Sequence, residues 1–180
     1  RDRFKAIGVG SQQIDWKRAL LNFPKGLEVF ISQRTMFKTR PIIGFIHAIV
    51  AWGFTLYLVV NVVDVLYGFI PGFHFFPNYL IGKAYRLFVD IFTVLVLLGV
   101  VYFLVRRFIF KDYRLIINEP VMLNDRAKKG MRNDSLIVGL FILFHVGSRL
   151  LAASFEIARN GSDTFQPAAT TIALLWSDLS

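Results

Sequence analysis

The sequence predicts an all-α integral membrane protein, a helical bundle with at least three transmembrane helices and the beginning of a fourth. Hydrophobic residues make up 55% of the 180 residues, the mean hydropathy is +0.53, and the apolar residues form runs long enough to cross a bilayer. The net charge of +9 comes from basic residues beside these runs. We therefore interpret the charge as a topology signal and expect no nucleic-acid partner.

The first domain, residues 1–40, is predicted to be a basic, amphipathic segment. It holds nine Lys/Arg residues, and its apolar positions recur at partly helical spacing: Trp16, Leu20, Leu21 and Phe23. Such a pattern is typical of a helix that lies at the membrane interface. Pro41 then opens the second domain, residues 41–180, since proline suits the first turn of a helix.

The second domain is predicted to hold the spans. Ile42–Val63 is free of formal charge over 22 residues, and at about 1.5 Å per residue it can cross a hydrocarbon layer of about 30 Å. A turn at Ile70-Pro71-Gly72 follows it. The second span is Tyr85–Val105, and we expect it to stop at Arg106-Arg107.

The third span is predicted over Ser135–Ala158, after a basic loop in which Pro120 breaks any continuous helix. Asn133, Asp134 and Ser135 supply side-chain acceptors that suit the start of this helix. Residues 167–176 resemble the beginning of a fourth span but are too few to cross the bilayer.

The basic residues alternate between the two sides of the spans. Nine precede the first span, two (Lys83 and Arg86) lie at the next turn, eight lie from Arg106 to Arg132, and one follows the third. Short loops rich in Lys/Arg stay in the cytoplasm. The sequence thus predicts a multi-pass protein of the cell (inner, cytoplasmic) membrane with residues 1–40 and 106–134 cytoplasmic.

Two histidines lie inside predicted spans, His47 in the first and His145 in the third. Polar groups are costly there, so intramembrane histidines are candidates for function. Counted from the basic boundaries they lie about 10 and 17 Å deep in parallel helices, a mismatch that helix tilt can absorb. They are therefore candidate axial ligands of one haem iron; the alternative is two separate imidazoles, each bonded to a neighbouring helix.

Other charged residues near the spans have two interpretations each. Arg149, one turn after His145, is a candidate partner of a haem propionate, or it forms an ion pair with Glu156. Asp64, Asp90 and Glu156 fall toward the outer ends of the spans, where they serve a quinone site or proton path, or are simply solvated. We leave His74 out of the ligand set because it lies in an outer loop.

Cysteine is absent, so this chain offers no sulfur ligands for an iron–sulfur cluster. Any such cluster belongs to a missing domain or to a partner. The chain starts at Arg1 rather than Met, and we expect it to be part of a longer protein, incomplete at both ends.

Three segments carry a family resemblance: Arg40–Phe54, Asn61–Gly72 and Arg132–Gly147. Over about residues 15–155 the chain resembles the membrane domain of heterodisulfide-reductase-related iron–sulfur oxidoreductases, such as electron-transfer-flavoprotein:menaquinone oxidoreductase. That domain is similar to the cytochrome b gamma subunit of respiratory nitrate reductase. The resemblance places His47 and His145 in the histidine-bearing helices of the family.

The resemblance implies the membrane part of a quinone-linked oxidoreductase of a respiratory chain. Electrons would pass from a cytoplasmic iron–sulfur or flavoprotein donor, through haem b, to menaquinone, with an iron–sulfur domain or subunit and electron-transfer flavoprotein as partners. The alternative is a cofactor-free membrane subunit that packs within a larger respiratory or photosynthetic complex.

The sequence departs from the gamma-subunit pattern at one position. That pattern places a second histidine ten residues after the first on one helix, and the equivalent residue, counted from His145, is Phe155. A second haem would therefore need ligands from beyond Ser180 or from another subunit.

Overall fold

The structure is a computed structural model that describes residues 15–75, 79–111 and 125–176. Within these ranges all regular structure is helical, and three helices are long and apolar enough to cross a membrane. The prediction of an all-α integral membrane protein is thus confirmed. The chain divides into two compact units, Arg1–Phe45 and Ile46–Ser180. Residues 1–14 of the basic segment and the predicted break at Pro120 lie outside the described residues.

The described residues of the first unit form α1 (Trp16–Ser32), α2 (Arg34–Thr39) and the first residues of the next helix. The Asp15 carboxylate caps α1 by accepting a hydrogen bond of 2.9 Å from the Arg18 N–H. Gln33, with φ of 47°, reverses the chain between the two helices.

Helix α3 runs from Pro41 to Phe69, with proline at its first position as predicted. It is longer than the predicted span, and so Asp64 lies inside the helix rather than just after it. A turn at Pro71-Gly72 follows, in which Gly72 has φ of 77°, a conformation that glycine adopts at little cost.

Helix α4 covers Leu80–Leu104 and continues as a single π-helical turn, Val105–Ile109. The predicted end at Arg106-Arg107 is therefore wrong. Arg106 is 8% exposed, and the Arg107 guanidinium donates to the Met131 carbonyl at 3.5 Å. Long arginine side chains can find such polar partners while their stems lie along apolar surface, so two arginines need not end a helix.

Helix α5 spans Asp125–Asn160, 36 residues. The predicted cap at Asn133-Asp134-Ser135 is wrong, because these residues lie inside the helix. The Ser135 hydroxyl donates to the Met131 carbonyl at 2.8 Å, a bond within the helix that replaces the capping role. Within residues 167–176, predicted as the beginning of a fourth span, the structure has a helix of seven residues, α6 (Pro167–Ala173).

Helix α4 is the best-covered of the three long helices in the second unit. Of its most apolar stretch 33% is buried, against 22% for α3 and 11% for α5. The main core joins α3, α4 and α5 through Tyr57, Val60, Val89, Val96, Val100 and Val146. A second cluster packs α6 on α5. The long helices leave many of their large apolar side chains exposed, which suits contact with lipid.

One hydrogen-bond chain crosses this core. The Thr93 hydroxyl donates to the Val89 carbonyl at 2.6 Å, so it is free to accept from the Tyr57 hydroxyl, also at 2.6 Å. Buried polar groups in an apolar bundle need such partners. The chain fixes α3 against α4 near the middle of the bundle.

Candidate functional site

His47 lies on α3 and contacts α4. Its ring is edge-on to that of Phe103, with ring centroids 6.3 Å apart. The residue is exposed at the surface of the described helices. Three residues before it, Gly44 lies close to the backbone at Met36, whose carbonyl oxygen would be 2.9 Å from an added Cβ.

His145 lies on α5 between two aromatic rings. It stacks on Phe141 at 6.0 Å with an interplanar angle of 3°, and it meets Tyr57 of α3 edge-on at 6.1 Å. The cavity beside it is about 180 Å³ and mostly apolar. That volume is below the roughly 300–1,000 Å³ of ordinary ligand pockets.

The structure does not bring the two histidines together. Tyr57, the neighbour of His145, lies ten residues after His47 on α3, or about 15 Å along the axis. The axial offset can also be counted from Gly139 of α5. Gly139 packs on Leu104, which follows Phe103, and the Phe103 ring contacts His47. Gly139 precedes His145 by six residues, or about 9 Å. The imidazoles are thus offset by roughly 9–15 Å along the helices.

This offset bears on the haem interpretation. Two axial nitrogens of one iron lie about 4 Å apart, because each metal–nitrogen bond is about 2 Å. The offset of the two imidazoles, derived from the helical rise, is larger than this separation. Among the described residues, no group of three or more His, Asp or Glu side chains is placed to hold a metal ion. Haem b on this chain stays a prediction of the sequence.

The position where a second histidine was sought has a packing role. The Phe155 ring stacks on Trp176, with centroids 4.5 Å apart. The Trp176 indole N–H donates to the Ser154 hydroxyl at 3.0 Å. This pair of contacts holds the turn after α6 against α5.

Arg149 forms an ion pair with Asp64 of α3. Its Nε lies 2.9 Å from Oδ2 and its Nη2 lies 3.2 Å from Oδ1, a bidentate arrangement. The sequence offered an ion pair with Glu156 as the alternative to a haem propionate, and the ion pair in the structure is instead with Asp64, 85 residues away in sequence. A role for Arg149 with a haem propionate stays a prediction.

The ion pair forms part of a polar cavity of about 400 Å³ at the end of the bundle where α3 stops and α4 begins. The cavity is open to the surface, and its volume lies within the range of ligand pockets. Helices α3, α4 and α5 and the segment after α5 contribute polar side chains to its lining: Asp64, Tyr67, His74, Tyr85, Arg86, Arg149, Glu156 and Gln166.

One group in this cavity is left unbonded. The Tyr85 hydroxyl is buried and has no hydrogen-bond partner among the described residues. Buried hydroxyls are normally bonded, so a ligand acceptor at this position would satisfy it. Beside it, His74 contacts Tyr67 edge-on at 5.4 Å. The sequence reasoning missed Tyr85 and set His74 aside, because their approach to Arg149 depends on how the helices pack.

Asp90 has a different role from the two considered in the sequence. It is 4% exposed, so interfacial solvation is wrong for this residue. Its carboxylate accepts hydrogen bonds from the Ala168 N–H at 2.7 Å and the Ala169 N–H at 3.1 Å. Asp90 therefore accepts hydrogen bonds from N–H groups in the first turn of α6, which have no partner within the helix itself.

Asp163 holds the segment between α5 and α6 against α4. It pairs with Arg86 at 2.9 Å and accepts from the Phe165 N–H at 2.9 Å and the Gln166 amide at 3.1 Å. Partial burial acts to raise the pKa of the Asp163 carboxyl, but these hydrogen bonds and the Arg86 charge lower that pKa below its usual value. Asp163 thus supports the cavity wall that carries Gln166.

Comparison with known protein families, with curated proteins and with solved structures finds no match to this chain.

Proposed function

We propose that this chain is a membrane electron-transfer domain of a quinone-linked oxidoreductase, and that the polar cavity binds the quinone headgroup. The observation that carries the proposal is the cavity itself. It joins a bidentate Arg149–Asp64 pair and an unbonded Tyr85 hydroxyl at the end of three apolar helices. A polar-headed, apolar-tailed ligand suits this place, because its tail can extend into the surrounding lipid.

The donors of the cavity match the acceptors of a quinone. A quinone ring has two carbonyl oxygens, and Tyr85 and Arg149 each supply a donor to such an oxygen. Reduction to the quinol takes two electrons and two protons. Glu156 and His74 line the same cavity and are titratable groups that can pass protons to the ring oxygens.

The sidedness of the cavity follows from the basic residues. With residues 1–40 and 106–134 in the cytoplasm, the Asp64 end of the bundle faces the opposite side. The electron donor is an iron–sulfur or flavoprotein domain or subunit on the cytoplasmic side. Menaquinone is the proposed quinone, from the family resemblance alone.

Quinone binding is tested with the full chain in detergent, by titration with a soluble menaquinone analogue. Tyr85→Phe removes one donor and is expected to weaken binding about 2- to 10-fold, the range for one hydrogen bond. Tyr102→Phe is the matched control, since Tyr102 lies on the same helix and does not line the cavity. Equal affinities for the two variants would exclude Tyr85 from the site.

The haem prediction has a separate test. A reduced-minus-oxidised visible spectrum of the purified protein reports any bound haem b. If His47 and His145 are axial ligands, His47→Ala and His145→Ala each abolish the band. Absence of a b-type band, or a band that survives both substitutions, rejects the ligand assignment.

A second candidate function is a cofactor-free membrane subunit that packs within a larger respiratory or photosynthetic complex. The offset between His47 and His145 favours it, as do the outward-facing apolar side chains of α3 and α5. It predicts neither a haem spectrum nor quinone binding. The two experiments above therefore separate it from the first proposal.

A further inference from the structure

Helix α1 has an exposed apolar face. None of its 17 residues is buried. Trp16 is 70% exposed, Leu20 73% and Phe23 66%. A face of this kind is unfavourable in water, so something apolar covers it in the working protein.

The apolar and basic residues of α1 lie on different sides of the helix. At about 100° per residue, the apolar side chains fall within an arc of about 80°: Trp16, Leu20, Phe23, Leu27 and Phe30. Lys17, Arg18 and Lys25 lie outside this arc. Only Leu21 and Val29 break the pattern on the polar side.

The length and position of α1 exclude a crossing of the membrane. It carries three basic residues in 17 and has Pro24 inside it. Its last residue, Ser32, precedes the first residue of the α3 span, Pro41, by nine positions. The covalent chain therefore holds α1 close to the bilayer surface.

We propose that α1 lies in the plane of the bilayer, with its apolar face at the acyl boundary, and that Lys17, Arg18 and Lys25 bind anionic phospholipid headgroups. The apolar face supplies insertion and the basic side supplies charge complementarity to the lipid phosphates. Each basic residue near an anionic surface strengthens association about fivefold, and aliphatic stems let lysine and arginine reach the headgroups.

The chain has no cysteine, so single-cysteine variants can each carry one nitroxide label. The full chain is reconstituted in vesicles of phosphatidylcholine mixed with phosphatidylglycerol. Labels at Leu20→Cys and Leu27→Cys are expected to collide with oxygen, which concentrates in the lipid. Labels at Asn22→Cys and Ser32→Cys are expected to collide with a water-soluble nickel chelate.

Two results would overturn this placement of α1. Nickel access at all four positions means that the helix lies in water. Immobile labels at Leu20 and Leu27 that neither reagent reaches mean that protein, and not lipid, covers the face.

Lipid selectivity is tested by repeating the measurement in phosphatidylcholine alone and with the variant Lys17→Gln/Arg18→Gln/Lys25→Gln. Either change is expected to raise nickel access at Leu20 and Leu27. Loss of the three basic charges is expected to weaken the association of α1 with the bilayer by up to about a hundredfold. Glu28→Gln is the control on the same helix, and removal of its negative charge is expected to lower nickel access. Identical access in both lipids and in all variants rejects headgroup binding.

Discussion

At the scale of single residues, the Arg149–Asp64 pair is the main charged contact between α3 and α5. An arginine inside an apolar helix is costly unless a partner and a polar surrounding compensate it. Here both are present, because Asp64 binds the guanidinium through two contacts and the cavity beside the pair has further polar side chains in its lining.

Arg149→Gln is expected to lower the free energy of unfolding by about 1–3 kcal/mol. This range lies between the values for buried and exposed pairs, since the side chains are 26% and 48% exposed. The double variant Asp64→Asn/Arg149→Gln should recover part of the loss because no carboxylate is left unpaired. Thermal unfolding in detergent measures both, with Arg159→Gln as the exposed control. If the double variant is less stable than Arg149→Gln by the whole loss that Asp64→Asn causes alone, the two side chains are not energetically coupled.

Asp163 is expected to make stability depend on pH. Its pKa is lower in the folded protein than in the unfolded chain, so its contribution is fully present above the unfolded value and is lost as the pH falls through the folded value. Asp163→Asn should therefore cost about 1–2 kcal/mol at neutral pH and nothing in strong acid. Unfolding curves across acidic pH check this. The control is Glu28→Gln, whose free energy of unfolding is expected to stay close to that of the native chain. A constant penalty at every pH would contradict the prediction.

The sequence predicted part of this residue-scale picture. It placed His47, His145 and Arg149 inside apolar helices, because hydropathy and charge are properties of neighbouring residues. It offered Glu156 rather than Asp64 as an ion-pair partner of Arg149, and it did not find Tyr85. Those contacts join residues tens of positions apart, and they depend on the rotation and depth of each helix, which a run of apolar residues leaves open.

At the scale of helices, glycine determines how closely α4 approaches its neighbours. A Cβ at Gly53 of α3 would overlap the Val96 side chain, and one at Gly99 would lie 2.7 Å from Val50 Cγ2. On α5, a Cβ at Gly139 would lie 2.6 Å from Leu104 Cδ2. Small residues at these crossings permit the close packing that holds membrane helices together.

Gly53→Ala and Gly139→Ala are expected to destabilise the bundle by about 1–3 kcal/mol through overpacking. Gly147→Ala is the matched control on α5, because an added Cβ there meets no atom within 4 Å. The midpoint of thermal unfolding of Gly147→Ala should be unchanged or slightly raised, since alanine favours the helical conformation more than glycine does. Thermal unfolding in detergent compares the three variants. Equal midpoints for all three would mean that the helices can separate at no cost.

The helices themselves were largely predictable, whereas their ends were not. Long apolar runs located α3, α4 and α5, since only a helix satisfies its backbone inside lipid. The predicted cap at Asn133–Ser135 failed because polar residues also occur inside a helix that extends beyond the hydrocarbon. Charge similarly failed to stop α4 at Arg106.

At the scale of the whole molecule, the distribution of lysine and arginine predicts which ends share a side of the membrane. Lys38→Cys and Lys111→Cys are expected to react with an impermeant maleimide from the cytoplasmic side only. Ser162→Cys, in the segment after α5, should react only from the other side. Right-side-out and inverted vesicles measure this directly. Labelling of all three positions from one side would reject the three-span topology.

Asp90 has a consequence for how the protein is made. Its hydrogen-bond partners at Ala168 and Ala169 are 78 and 79 residues further along the chain. At about 5–20 residues per second, a ribosome needs roughly 4–16 s to synthesise that interval. During this time the Asp90 carboxyl group of α4 lacks the two backbone N–H partners that it has in the folded chain. Helix α6 therefore completes the hydrogen bonding of the second span, and a nascent chain halted before residue 160 should expose α4 to membrane quality-control proteases.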